Sequence, residues 1–217
     1  MARLRAADYD DKRNALLQVA ARLFARDGFD RTSISGIAEA ADVSKALLYH
    51  YYASKDALLF DIIHEHLLDL VSQVEAADDS NLAPEEHLQT LIATVLFAYR
   101  DADTMHKVQI NELDKLAEGQ QRVIRALERK LVGIVARALA RLNPSLEGQG
   151  GALLKPITMS LFGILNWSYL WFRDDKPIGR DAYAQLVTRL FVDGAARLTP
   201  AAIGERAMAT ARRLDRP

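Results

Sequence analysis

Between Ile34 and Lys55 the chain reads ISGIAEAADVSKALLYHYYASK, and this stretch gathers side chains suited to hydrogen-bonding a nucleic acid. Lys45 can donate to the O6 and N7 acceptors of guanine, while Ala46 and Tyr49 can meet a thymine methyl, if all three share one exposed helical face. Ser44, at the start of that helix, caps its free backbone N–H groups, and the small first turn lets the backbone approach the bases. Lys55 stands at the first turn of the next helix, placed to clamp a phosphate, and His50 and Tyr51 can donate to phosphates as well. In that role Lys55→Ala lowers the salt dependence of binding by about one ion. Thr32 and Ser33, one of which caps the preceding helix, complete the set of contacts. Arg3 and Arg5 precede the first helix and read as a basic arm for the flanking minor groove.

Other chemistries are poorly served. His64 and His66, with Asp61 and Glu65 beside them, suggest a metal, but positions i and i+2 face different sides of a helix. Asp61 and Glu65 then read as solvated acids. No HExxH, GxSxG or phosphate-cradling glycine loop occurs, so neither an enzyme nor a bound metal or resident cofactor is expected. The absence of cysteine excludes disulfide scaffolds, zinc fingers and cysteine nucleophiles. Lys plus Arg number 28 against 29 Asp plus Glu, so any nucleic-acid surface is a local patch. Residues 1–56 are themselves nearly neutral, and strong binding by a single copy is not expected. No stretch approaches 18 uncharged apolar residues, which points to a soluble, cytoplasmic chain without membrane contact.

The elements that position these residues are helical. Leu16, Val19, Ala20, Leu23 and Phe24 recur at helical spacing from Asp11 to Arg26, and Gly28 stops the helix. A second helix buries Ile34, Ile37, Ala38 and Ala41, and a third begins near Ser44, turning Leu47, Leu48 and Tyr51 or Tyr52 inward. Asp42 sits at the turn between them, where a left-handed backbone is needed, and Val43 plugs the angle. A fourth helix starts near Ser54 with Leu58, Leu59, Ile62, Ile63, Leu67 and Leu70 as its stripe. The rest reads as helices near 84–100, 104–116, 120–142, 153–172 and 181–198, with a last amphipathic piece from Pro200. The expected fold is therefore all-α. Residues 1–53 form a three-helix helix-turn-helix domain for DNA, and 54–217 form a larger domain for ligand binding and dimerisation, with 54–77 as the linking helix.

The run from Arg13 to Leu59, RNALLQVAARLFARDGFDRTSISGIAEAADVSKALLYHYYASKDALL, resembles the DNA-binding domain of the TetR family of bacterial transcriptional regulators. Asp42 stands where the family usually has glycine at the turn, and Ala46 where it often has glycine inside the reading helix. The resemblance implies a homodimer of nine or ten helices per chain, most often a repressor released by a small ligand. It also implies that Tyr49, Tyr51 and Lys55 contact DNA. The segment from Lys155 to Gly179 resembles a subgroup regulating fatty-acid and steroid catabolism, which implies an acyl-CoA thioester as effector.

A two-fold palindromic operator on double-stranded DNA requires a second copy of the reader. The apolar segments 153–172 and 182–198 suit a hairpin that pairs with its symmetry mate, with Leu161, Leu165, Leu186, Leu190 and Phe191 at the dimer interface. Polar residues where apolar ones cost less mark a ligand site: Tyr99, Arg100, His106, Gln109, Asn111, Asn166, Trp167 and Tyr169. The expected function is a homodimeric repressor released by a small hydrophobic effector. An activator, a ligand-independent regulator and a helical small-molecule-binding or interaction protein stay open as alternatives.

Overall fold

The computed structural model describes residues 2–100, 102–147 and 153–195. Among them are nine α-helices, two short 3-10 turns and no strands. The helices are α1 Ala2–Asp27, α2 Ile34–Ala40, α3 Lys45–Tyr51, α4 Lys55–Ala77, α5 Pro84–Ala98, α6 Asp103–Glu112, α7 Glu118–Leu142, α8 Leu154–Trp171 and α9 Arg180–Ala195. The amphipathic piece expected from Pro200 lies outside the described residues. Helix α1 starts nine residues before the expected Asp11, because Ala2, Arg3, Leu4, Arg5, Ala6 and Ala7 are all strong helix formers. Arg3 and Arg5 therefore belong to the helix and do not precede it as an extended arm; their side chains lie outside the description. The chain divides into two compact units, residues 1–70 with 99–128 and residues 71–98 with 129–217.

In the first unit, Leu16, Leu17, Ala20, Ala21 and Phe24 form the buried stripe of α1. Gly28 ends it at φ 86°, donating its N–H to the Phe24 carbonyl at 2.9 Å, a conformation that a side chain would strain. Ser33 caps α2 by accepting from the Gly36 N–H at 3.0 Å, and Ser44 caps α3 by accepting from Leu47 at 3.1 Å. Asp42 adopts φ 52° between them, as expected of an aspartate at this turn. Ile37, Leu48, Tyr52, Leu58 and Ile62 close the core beneath the two short helices. Leu47, expected inside, is exposed. Arg13 joins α1 to α4 through Asp61 at 2.7 Å and Glu65 at 3.2 Å, so these acids are partners of an arginine and not merely solvated.

The loop from Gly28 to Thr32 is held from two directions. The carboxylate of Glu112, the last residue of α6, accepts from the Phe29 N–H at 3.3 Å, and Lys115 pairs with Asp30 at 2.8 Å. Lys55, the first residue of α4, donates to the Phe29 carbonyl at 2.8 Å and to that of Thr32 at 3.1 Å.

The second unit is built on Leu88, Leu91, Ile92, Val95 and Leu96 of α5, packed with α8 and α9, and His87 of α5 meets Arg141 of α7 at 2.7 Å. Buried Arg180 ties α9 to the end of α5, donating to the Leu96 carbonyl at 2.7 Å and to Asp174 at 3.0 Å. That carbonyl lies in the last turn of α5 and has no helical acceptor role to fill, so a cation there is favourable. On α8, Thr158, Leu161, Phe162, Leu165 and Ser168 face inward. Leu161 and Leu165 are 0% and 1% exposed, so they belong to the chain's own core, which corrects their assignment to a dimer interface. The outward face instead carries Met159, Trp167 and Leu170 on α8, with Leu186 and Leu190 on α9, while Phe191 is half-buried.

Candidate functional site

Helix α3 is seven residues long and fixed at its start by the Ser44 cap. Leu48 anchors it from below with no exposure, so the opposite side is left to solvent. Ser44, Lys45, Ala46, Tyr49 and His50 are all exposed on it, and Ser33 is exposed at the start of α2. Lys45 and Tyr49, one turn apart, lie with the ammonium 5.9 Å from the ring centre. A cation over an aromatic face at an exposed site is weakly held, leaving both groups available to a base edge.

Three of the proposed DNA contacts are placed differently. Thr32 is buried, its hydroxyl donating to the Gly28 carbonyl at 2.9 Å, so it closes the turn after α1 and offers nothing to DNA. The Tyr51 ring packs on Tyr9 at 4.6 Å between centroids and is half-buried, lining an apolar groove with Leu16 and Val43. Lys55 is the largest departure from the phosphate-clamp reading. Two of its three N–H donors are spent on loop carbonyls, and its ammonium sits 4.1 Å from the centre of the Phe29 ring. Lys55→Ala is therefore expected to destabilise the fold by about 2 kcal/mol while leaving the salt slope of DNA binding unchanged. Urea unfolding and a salt titration check this together; a slope reduced by about one ion with unchanged stability restores the phosphate role.

The ligand candidates divide between the units. In the first, Tyr99, His106 and Gln109 are buried together: the Tyr99 and His106 rings are 4.1 Å apart, and Gln109 donates to Glu128 at 3.0 Å. Burial, with Glu128 adding to it, holds the Tyr99 hydroxyl well above its ordinary pKa, so it stays protonated. Arg100 and Asn111 are exposed, and Asn111 spends its amide on the Lys107 carbonyl at 2.8 Å, which removes it from the buried group. In the second unit, Asn166 and Tyr169 are half-buried, while Trp167 is 52% exposed on the apolar outer face of α8 and is not a pocket residue.

Sequence reasoning weighed His66 only as a metal ligand. It is 6% exposed, its ring 5.7 Å from that of His106, and its Nε2 has no hydrogen-bond partner. Burial and then the neighbouring His106 push its pKa down to about 3, so it is neutral at physiological pH. The signal was present in the sequence, because His66 falls four residues after Ile62 and three after Ile63, on the apolar stripe of α4.

A capped recognition helix with an exposed cation, set in an all-α chain, defines a helix-turn-helix protein of the DNA-binding class. Residues 16–62 match the family model for bacterial regulatory proteins of the tetR family, and residues 81–195 match the tetracyclin repressor-like C-terminal domain. The chain belongs to the TetR family of bacterial regulatory proteins, a family of DNA-binding regulators and not of enzymes. It is 33% identical to a TetR-family transcriptional regulator from Bordetella parapertussis 12822, with 86% of this chain and 96% of that one covered at a TM-score of 0.79. It is also 33% identical over 95 residues to the transcriptional repressor KstR2 of Rhodococcus jostii, covering 44% of this chain and 45% of that protein. The chain spans about half the length of the curated relatives it matches first. The structure of AibR in complex with isovaleryl coenzyme A and operator DNA shares the fold, with 24% identity, 83% and 98% coverage and a TM-score of 0.71. Among the described residues no helix is long and apolar enough to cross a membrane.

Proposed function

We propose that this chain is a homodimeric transcriptional repressor that binds a two-fold DNA operator and leaves it when a small hydrophobic effector binds. The observation that carries the reading is α3, held by the Ser44 cap and the left-handed Asp42, with Lys45 and Tyr49 exposed on it. The large exposed apolar side chains on α8 and on α9 support the homodimer, since such side chains mark a surface that a partner covers. The name of the KstR2 relative supports repression, and the AibR complex supports an acyl-CoA thioester as effector.

Release follows from how the reader loop is held. Helix α6 carries His106 and Gln109 inside the first unit and, at its end, the carboxylate bonded to the Phe29 N–H. An effector that prefers a shifted α6 pulls on the loop through Glu112 and Lys115, and the loop is bonded in turn to Lys55 of α4. An effector with equal affinity for both positions of α6 changes nothing. The reading is tested at Lys45. Selecting DNA sites with the Lys45→Ala variant relaxes the preference at one base pair of each half-site, by about 1–3 kcal/mol. Equal weakening on all sequences contradicts a base-reading lysine.

A further inference from the structure

Among the buried polar atoms of the first unit that lack a partner, two belong to residues on different helices and bear on one aromatic cluster. The Nε2 of His66 on α4 and the Oε1 of Gln109 on α6 have no hydrogen-bond partner, and their residues are only 6% and 7% exposed. The rings of His106 and Tyr99 lie 4.1 Å apart, His106 is 5.7 Å from His66, and Gln109 follows His106 by three residues on α6. A buried polar atom without a partner is costly, and a bound group that supplies the missing donor and acceptor removes that cost.

We propose that His66 and Gln109 form the subsite for an uncharged hydroxyl or amide group of the effector. This deepens the effector-released reading and rests on it. The Oε1 of Gln109 is an acceptor, and its own amide is already committed to Glu128 at 3.0 Å, so it requires an O–H or N–H donor. A bare ketone or thioester carbonyl cannot supply one, whereas the amide N–H groups of an acyl-CoA's pantetheine arm can. His66, in its Nε2–H tautomer, donates to the oxygen of the same group, so a primary amide or an alcohol satisfies both residues at once. A carboxylate is disfavoured, because it arrives unprotonated against a neutral imidazole and close to the anion of Glu128. His66 and Gln109 sit on α4 and α6, and α6 ends at the Glu112 contact to the reader loop. A group bridging them changes the spacing of the two helices that hold that loop.

The test uses the full chain and three probes with one eight-carbon skeleton: octanamide, 1-octanol and octanoate, titrated calorimetrically at pH 7.5. Octanamide and octanol are expected to bind at least about tenfold more tightly than octanoate. His66→Phe and Gln109→Met are each expected to bring the three affinities within about threefold, as loss of one paired group removes the discrimination. Thermal unfolding of both variants confirms that they fold, and either alone suffices if the other does not. Octanoate binding as tightly as octanamide, a preference that survives both variants, or no octanamide binding to the wild-type chain overturns the subsite. Operator binding by the same preparation is measured in parallel. A subsite that fails beside intact operator binding leaves the regulator standing; octanamide bound by a chain without operator affinity removes the regulator and leaves the subsite.

Discussion

Trp167→Glu combined with Leu190→Glu yields a folded monomer whose operator affinity is at least about a hundredfold below wild type. Both side chains are already more than half in water, 52% and 60% exposed, so charging them disturbs the chain's own core little. Their neighbours on the outer face, Met159, Leu170 and Leu186, are apolar and exposed as well. In a two-fold interface each substitution appears twice, and a charge facing an apolar partner there is desolvated without compensation. A dimer binds its second half-site at an effective concentration set by the first, an advantage worth about 10²–10⁴ in affinity that a monomer forfeits. Sedimentation equilibrium reports the oligomeric state, and a DNA titration the affinity. A double variant that stays dimeric, or a monomer within about threefold of wild type, shows that this face does not pair the readers.

Acid is expected to destabilise the chain through His66 from about pH 6.5 downward, a range that begins above that of the carboxylates. In the unfolded chain this imidazole takes a proton near pH 6.5, whereas in the folded chain burial and His106 delay that to about 3. Between these values the unfolded chain binds the extra proton, so stability falls as pH falls. The contribution is about 1.4 kcal/mol for each pH unit descended within that window, and none above it. Urea midpoints from pH 7.5 to 4.5 for wild type and His66→Phe check this. The wild-type curve is expected to bend downward below about pH 6.5, and the variant's to stay flatter by that slope. Parallel curves exclude His66 as the source.

The reader domain was legible because its determinants are local. Ser33 and Ser44 meet N–H groups three residues away, Asp42 supplies a turn geometry its own side chain tolerates, and Gly28 ends α1 by its own φ. What was not legible depends on distant partners. Lys55 looks like a phosphate ligand until Phe29 and Thr32, 26 and 23 residues earlier, present their carbonyls to it. Leu161 and Leu165 share the helix and the hydropathy of Leu170, and only the packing of α8 decides which side faces the core. His66, once set aside as a metal ligand, gives no further signal of its own beyond its place on the α4 stripe, which already implies burial.

Reading of a symmetric DNA site by two copies of this chain through α3 is checked by selecting sites for the purified protein from random duplex DNA and weighing the complex by native mass spectrometry. An enriched inverted repeat is expected, with half-site centres one helical turn apart or a multiple of it, about 34–36 Å per turn, and two chains or a multiple of two on each duplex. Failure to enrich any sequence, or a lone asymmetric half-site carrying one chain, contradicts it.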